Sequence, residues 1–358
     1  MSSPQSRHDD APAGILVVGP AWVGDMVMSQ VLYKRLRRRF PDRPIDVLLP
    51  KSTLPLVSRM AEVSRGVLMD AGHGELKLSY RYGLGRRLAE NGYRDAIVLP
   101  GSLKSALLPA FAGIPRRTGF LGEYRYFLLN DVRSLNKRQL PRMIDRFVAL
   151  ADPPDVLLKA GSADDYLPEL MTDAENQAEL LSRWSIPADR PLLALCPGAE
   201  FGEAKRWPSS HFAEIARQAC AEGAGVLILG GPGDVRIAET VVAASGHHPS
   251  LINLAGKTSL LDVIDILAFC TGAVCNDSGL MHIAAAVGTP LVAIYGSTTP
   301  AFTPPLSRNG QSEVIARDMP CRPCFKRTCP LEHLKCLRDL TPDQVWPVVL
   351  GYLRADDR

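Results

Sequence analysis

At 358 residues the chain exceeds one ordinary domain and suits two, and 46% hydrophobic with 22% charged residues is the balance of a folded protein, not a disordered one. No apolar run approaches the roughly 18–20 residues that span a bilayer. Residues 1–14 are polar and lack the apolar core of a secretory signal, so the expected compartment is the cytoplasm, where the eight cysteines are thiols or metal ligands before they are disulfides.

The net charge of +3 is unevenly shared: residues 1–170 hold 25 Lys and Arg against 18 Asp and Glu, and the remainder 16 against 20. Either the two halves meet different partners, or the excess is only solvated helix surface.

Along the chain, Gly14–Gly19 is a short apolar run with the character of a buried strand. Met28, Val31, Leu32, Leu36 and Phe40 then recur at helical spacing within Gly24–Phe40. Ile45–Leu49, Gly66–Met69 and Asp95–Leu99 are further strands, each followed by a helical stretch. Residues 151–190 break this rhythm, with one helix near Asp173–Ser185. The alternation resumes with strands at Pro191–Cys196, Gly225–Leu229, Gly272–Asn276 and Pro290–Tyr295. Alternating units of this kind predict parallel sheets covered on both faces. The expected plan is α/β: two Rossmann-like, doubly wound domains facing across a cleft, over 1–170 and 191–340. Residues 171–190 are the expected linker, and a C-terminal helix within 341–358 is expected to pack back toward the first domain.

Ligands of such sheets bind beyond the carboxyl ends of the strands. None of those loops carries GxGxxG or a Walker A motif, which argues against a dehydrogenase or a P-loop kinase. After the first strand, Trp22-Val23-Gly24-Asp25 enters a helix. Asp25 there either caps the helix or is a carboxylate placed to take a proton; Trp22 is either core or a flat surface for a sugar. After the strand ending at Cys196, Lys205 and Arg206 precede Pro208 at a helix start. They suit a phosphate, or else form a solvated basic loop. Asn276-Asp277-Ser278-Gly279 follows another strand and opens a helix whose free amides at Ser278 and Gly279 suit a diphosphate, with His282 one turn further on. The alternative has Asp277 or Ser278 as an N-cap and His282 as a buried polar residue. Tyr295-Gly296-Ser297-Thr298 adds hydroxyls to the same rim.

GPAWVGDMVMSQ (19–30), SLKSALLPAFAGIPRRTGF (102–120), CPGAEFGEAKRWP (196–208), NDSGLMHIAAA (276–286) and YGSTTPAFTPPL (295–306) closely resemble glycosyltransferase family 9, of the GT-B fold, and the collinear resemblance runs from about Gly14 to Val349. WVGDM and PGAEFG…AKRWP point to the branch that adds the second heptose of the lipopolysaccharide core. The resemblance implies an inverting transfer from ADP-L-glycero-β-D-manno-heptose to the first heptose of the lipid A–Kdo inner core, making an α1,3 linkage. By position it implies Asp25 as base and Lys205 on the donor phosphates, with Asp277, Ser278, Gly279 and His282, joined by Arg206 and Ser297, around the donor. Trp22, Lys104, Arg116 and Arg117 are the expected acceptor contacts. Arg116, Arg117, Arg125, Arg133, Lys137, Arg138, Arg142 and Arg146 would attract the acceptor's carboxylates and phosphates, and peripheral contact with the anionic inner membrane follows. No DxD clamp is evident, so no catalytic cofactor is required, and no nucleic acid is an expected partner. Alternatives are the enzyme adding the first heptose, another core transferase of the family, and a non-catalytic sugar-nucleotide sensor, which has no need of Asp25.

One feature lies outside this chemistry. Cys321, Cys324, Cys329 and Cys336, with His333 nearby, have the spacing of a structural metal site, zinc before iron; the alternative is four free thiols over packed leucines. Cys196, Cys220, Cys270 and Cys275 fall in apolar segments and are expected to be inert core.

Overall fold

The computed structural model describes residues 13–72, 74–156, 159–307 and 309–355; the first twelve residues, where the absence of a signal was read, lie outside them. The chain forms two compact units. One is Ser29–Tyr166 with the chain up to Ala21, the other Trp22–Met28 with the chain from Leu167 onward.

In the first half the elements are β1 (Ile15–Val18), α1 (Val23–Arg39), β2 (Ile45–Leu49), β3 (Arg65–Leu68), α2 (Leu78–Leu88), β4 (Asp95–Val98), α3 (Leu103–Phe111), β5 (Arg116–Phe120), β6 (Asp131–Arg133) and α4 (Met143–Ala149). The strands are parallel in the order β3-β2-β1-β4-β5-β6. β1, β2 and β4 are buried along their whole length. That is why they are predominantly apolar runs and not alternating ones: helices cover both faces.

The second half contains α5 (Ala174–Arg183), β7 (Leu192–Cys196), α6 (Ser209–Ala221), β8 (Gly225–Ile228), α7 (Val235–Ala244), β9 (Leu251–Asn253), α8 (Leu260–Phe269), β10 (Gly272–Asn276), α9 (Gly279–Val287), β11 (Leu291–Tyr295), β12 (Ser312–Ala316), α10 (Lys335–Arg338) and α11 (Pro342–Ala355). Its parallel order is β12-β11-β10-β7-β8-β9. Counted from its own first strand, each sheet has the doubly wound order 3-2-1-4-5-6. The switch points fall between β1 and β4, and between β7 and β10, where such sheets bind ligands.

Two further regions have packing of their own. Residues 171–190 carry the helix expected near Asp173–Ser185, here α5. Asp173 caps α5, its carboxylate accepting from the amides of Glu175 and Asn176. The helix docks on α8, where the buried Asp265 accepts from the Asp173 amide (2.8 Å) and the Asn176 side chain (2.7 Å). The C-terminal helix α11 packs on the second sheet. Val345, Val349 and Leu353, four apart on one face, are buried in the core of the second sheet beside α6, β10 and β11. Each such side chain contributes about 1.5–3 kcal/mol by leaving water, which holds the helix there.

Among the described residues, no helix is long and apolar enough to cross a membrane.

Candidate active site

The loops at the second switch point are tied together by Asn276, the fully buried last residue of β10. Its Oδ1 accepts from the Trp207 amide (3.0 Å) and its Nδ2 donates to the Pro197 carbonyl (2.8 Å). A strand-end side chain thus fixes both ends of the segment carrying Lys205. Next along the chain, Asp277 donates its backbone N–H to the Ile294 carbonyl (3.0 Å) and turns its side chain to Lys205. Lys205 Nζ lies 2.6 Å from Asp277 Oδ2, with the lysine side chain 14% and the aspartate 3% exposed. The Thr298 hydroxyl donates to the same oxygen. A charge removed from water to this degree is tolerated because it is paired and hydrogen-bonded.

At the start of α9 Ser278 takes the N-cap position and His282 is buried, but neither Asp277 nor Ser278 makes a side-chain cap bond. Asp277 is engaged with Lys205 and Thr298. The first-turn amides are left to serve an anion, which the positive end of the helix favours.

The first turn of α1 clusters with this unit, and two glycines let it come close. A Cβ on Gly24 would lie 2.7 Å from His282 Cδ2, and one on Gly279 would lie 2.8 Å from Val23 Cβ. Asp25 therefore enters the field of the Lys205–Asp277 pair. Burial pushes its carboxyl up to about 6 from an ordinary 3.8; the Lys205 charge opposes this and the Asp277 charge adds to it. His282 is buried, and loss of water drives its imidazole down to about 4, against the Asp277 charge and with that of Lys205. Near neutral pH the site therefore holds a neutral imidazole and a carboxylate of raised basicity. A carboxylate poised near the working pH and shifted by burial is suited to general base catalysis.

Asp25, Lys205, Asp277, Ser278, Gly279 and His282 thus share one locale. The other candidates disperse. Ser297 is 1% exposed, and its Oγ has no hydrogen-bond partner among the described residues. Arg206 turns away from its neighbour Lys205. Its Nε donates to the Ala199 carbonyl (3.2 Å), and it lines a separate cavity with Trp207, Leu337 and Arg338. Trp22 is partly buried at the start of α1. Lys104 is partly buried in the first turn of α3, on the carboxyl side of β4.

Arg116 and Arg117, the other expected acceptor contacts, stand away from the ligand edge of their sheet. They begin β5, at the amino ends of the strands, roughly 15 Å of strand from the ligand-binding edge. Arg116 pairs with Asp95 (2.5 Å), while Arg117 donates to the carbonyls of Leu128 and Ile114 (2.7 and 2.6 Å). Most of the basic run is likewise spent on the scaffold. Arg125 grips the Pro100 and Phe120 carbonyls, Arg133 pairs with Asp131, Arg142 with Asp145, and Arg146 donates to the Leu140 carbonyl; Lys137 and Arg138 are exposed.

Cys196, Cys220, Cys270 and Cys275 are buried core, as expected. Cys321, Cys324 and Cys329 are partly exposed and Cys336 is buried; burial raises the Cys336 thiol. Among the described residues, no three His, Cys, Asp or Glu side chains are gathered to hold a metal ion. The sequence places Thr298 among the hydroxyls of this rim but gives no sign that it bonds to Asp277, and it gives Asn276 no role, because both act by holding other site residues.

The chain matches the sequence model of glycosyltransferase family 9 (heptosyltransferase) over residues 81–335 and belongs to that family; its two doubly wound sheets are those of a GT-B glycosyltransferase. It is 44% identical over 335 residues to lipopolysaccharide heptosyltransferase 2 of Escherichia coli K12, covering 92% of this chain and 96% of that one. With lipooligosaccharide heptosyltransferase 2 of Haemophilus influenzae the identity is 47%, over 82% and 86% of the two chains. Among solved structures, E. coli ADP-heptose LPS heptosyltransferase II superposes with a TM-score of 0.85 at 40% identity, covering 96% of this chain and all of that one.

Proposed function

We propose that the protein transfers heptose from ADP-heptose to the first heptose of the lipid A–Kdo inner core, forming the α1,3 linkage of the lipopolysaccharide core. The observation that carries this reading is the convergence of Asp25 with the Lys205–Asp277 pair and the uncapped start of α9, in a chain so similar to heptosyltransferases 2.

The acceptor hydroxyl oxygen attacks the anomeric carbon from the face opposite the diphosphate, and its proton passes to the Asp25 carboxylate. The carbon–oxygen bond to ADP breaks with its electron pair going to the β-phosphate, so the β-configured donor yields an α-linked product. Lys205 and the amides of Ser278 and Gly279 absorb the charge growing on the departing diphosphate. Asp277 holds Lys205 in place, and the neutral His282 keeps a hydrogen-bonding imidazole beside the sugar. Lys205 and the helix start supply the positive field in place of a metal, so EDTA treatment should leave turnover unchanged; a loss of turnover restored by a divalent cation would refute this. The enzyme acts in the cytoplasm, with peripheral contact at the inner membrane where its lipid acceptor resides; absence of salt-sensitive sedimentation with acidic vesicles would count against that contact. Elemental analysis for zinc and iron tests the cysteine segment as a structural metal site.

The deciding experiment measures ADP release from ADP-heptose with core acceptors bearing no heptose or one heptose, for wild type and Asp25→Asn. Turnover confined to the one-heptose acceptor and lost in the variant is expected. Turnover on the heptose-free acceptor alone would reassign the protein to the first-heptose step, and ADP-heptose binding without turnover on either would make it a sensor.

A further inference from the structure

The segment 317–334 joins β12 to α10 without a helix or strand of its own. A long irregular connection in a compact domain needs partners for its backbone, and the direction of its hydrogen bonds shows what it serves. Some close within the segment, but several run outward to the two loops that carry the donor-side residues. Arg322 donates from Nε to the Gly296 carbonyl (2.5 Å), from Nη2 to the Thr298 carbonyl (3.0 Å), and from Nη1 to the Arg317 carbonyl. The Phe325 amide donates to the Ser297 carbonyl (2.8 Å), and the Ala204 amide to the Arg327 carbonyl (3.0 Å). The Ser297 amide donates to the Ala204 carbonyl (2.9 Å), closing a triangle of three backbone segments.

Glycine marks the closest approaches. A Cβ on Gly202, whose φ is +150°, would lie 2.5 Å from the Arg327 carbonyl oxygen. One on Gly296 would collide with the Ala204 carbonyl and lie 2.9 Å from Leu337 Cδ1. The side chains continue the clamp: the Arg327 guanidinium and the Lys205 ammonium both lie over the Phe201 ring, at 5.3 and 5.0 Å. At the end of the chain of contacts, Thr298 delivers its hydroxyl to the Asp277 oxygen that pairs with Lys205.

We propose that Thr298 and Arg322 are positioning residues for sugar transfer: the cysteine-rich segment braces the 295–300 loop through Arg322, and Thr298 passes that placement to Asp277 and so to Lys205. This rests on the donor-side role of Lys205 argued above. It predicts effects on donor use and not on acceptor use.

The test compares Thr298→Val, Thr298→Ser, Arg322→Gln and Arg322→Lys with wild type by two readouts. The first is kcat/KM for ADP-heptose and KM for the one-heptose acceptor. The second is the rate at which Lys205 is acylated by acetic anhydride, read by mass spectrometry, which needs no assumption about the reaction. Removing one hydrogen bond to a buried charge is expected to lower donor kcat/KM about tenfold or more in Thr298→Val. Acceptor KM should be unchanged, Lys205 acylation several-fold faster, and both effects reversed in Thr298→Ser. Arg322→Lys keeps the charge but cannot fork to two carbonyls, so it should fall with Arg322→Gln; it also serves as the second variant where Arg322→Gln fails to fold. Wild-type donor kinetics and unchanged Lys205 acylation in folded variants overturn the proposal. Faster Lys205 acylation in a protein that transfers no heptose would retain the brace and sink the reaction assigned above.

Discussion

Asp25→Asn removes one charge with little change in shape, and it should make the protein more stable while disabling it. In the folded chain this carboxyl titrates at about 6 against an ordinary 3.8. Between those values the native state binds more protons than the unfolded state, so its contribution to stability falls as pH rises from about 4 to about 6 and stays low above. The gap is worth about 3 kcal/mol at pH 7.5, and about 1.5 kcal/mol at pH 5 where the native carboxyl is already mostly protonated. An amide escapes this penalty. Urea unfolding of wild type and variant at the two pH values measures it directly: the variant should gain about 3 kcal/mol at pH 7.5 and about half that at pH 5. Loss of the base should slow transfer by roughly 10²–10⁴. Equal stabilities at both pH values would mean that the carboxylate is not desolvated. Near-normal turnover would mean that another group takes the proton.

Three further outcomes follow from the same geometry. With the base at about 6, kcat/KM of wild type should drop about tenfold from pH 7 to pH 5, whereas an ordinary aspartate would leave it flat. Lys205→Met deletes the cation that holds Asp25 down, so the acid limb should move above 6; it also strands Asp277, for an unfolding loss of about 3–5 kcal/mol. A limb moving downward would contradict the field described. Arg116→Ala should cost under about 1 kcal/mol, since Arg43 still pairs with Asp95, and should leave acceptor KM untouched; a tenfold rise would restore an acceptor role. Gly24→Ala puts a methyl 2.7 Å from the His282 ring. It should lower kcat by shifting the first turn of α1, at a packing cost of about 1–3 kcal/mol, and an unchanged kcat would show that the two helix starts need not stay in register.

What could be read from the sequence follows burial. The central strands β1, β2, β4, β7, β8, β10 and β11 are buried along their length, and so spell predominantly apolar runs, broken only by Asp46 in β2, Asp95 at the start of β4 and Asn276 at the end of β10. β6 and β9 escaped because they are only three residues long, too short for a run, and β12 because it is partly exposed and mixed in composition, Ser-Glu-Val-Ile-Ala. The partly exposed edge strand β3, by contrast, is legible from Gly-Val-Leu-Met. β5 escaped because it opens with two arginines, which read as an anion site when taken as composition. They stand at the amino end of a parallel strand, and position along a strand is not written in a charge count.

The same contrast separates the site residues that were found from those that were missed. Asp277 follows directly on β10, and Asp25 and Lys205 lie in the segments that lead from β1 and β7 to the next helix, so their place after strands that flank the switch points already implied the ligand edge. Thr298 and Arg322 act through contacts spanning 21 and 24–26 residues, onto a carboxylate and onto backbone carbonyls. A carbonyl has no residue type, so no pattern of side chains could announce it as a partner. Within 321–336 the contacts to the donor-side loops come from Arg322, Phe325 and Arg327, which stand between the cysteines. The segment's spacing raised a question about metal, while its backbone bonding shows what the segment holds still. A structural metal there and a brace for the donor loops are compatible, because a fixed strap is what Arg322 needs in order to aim.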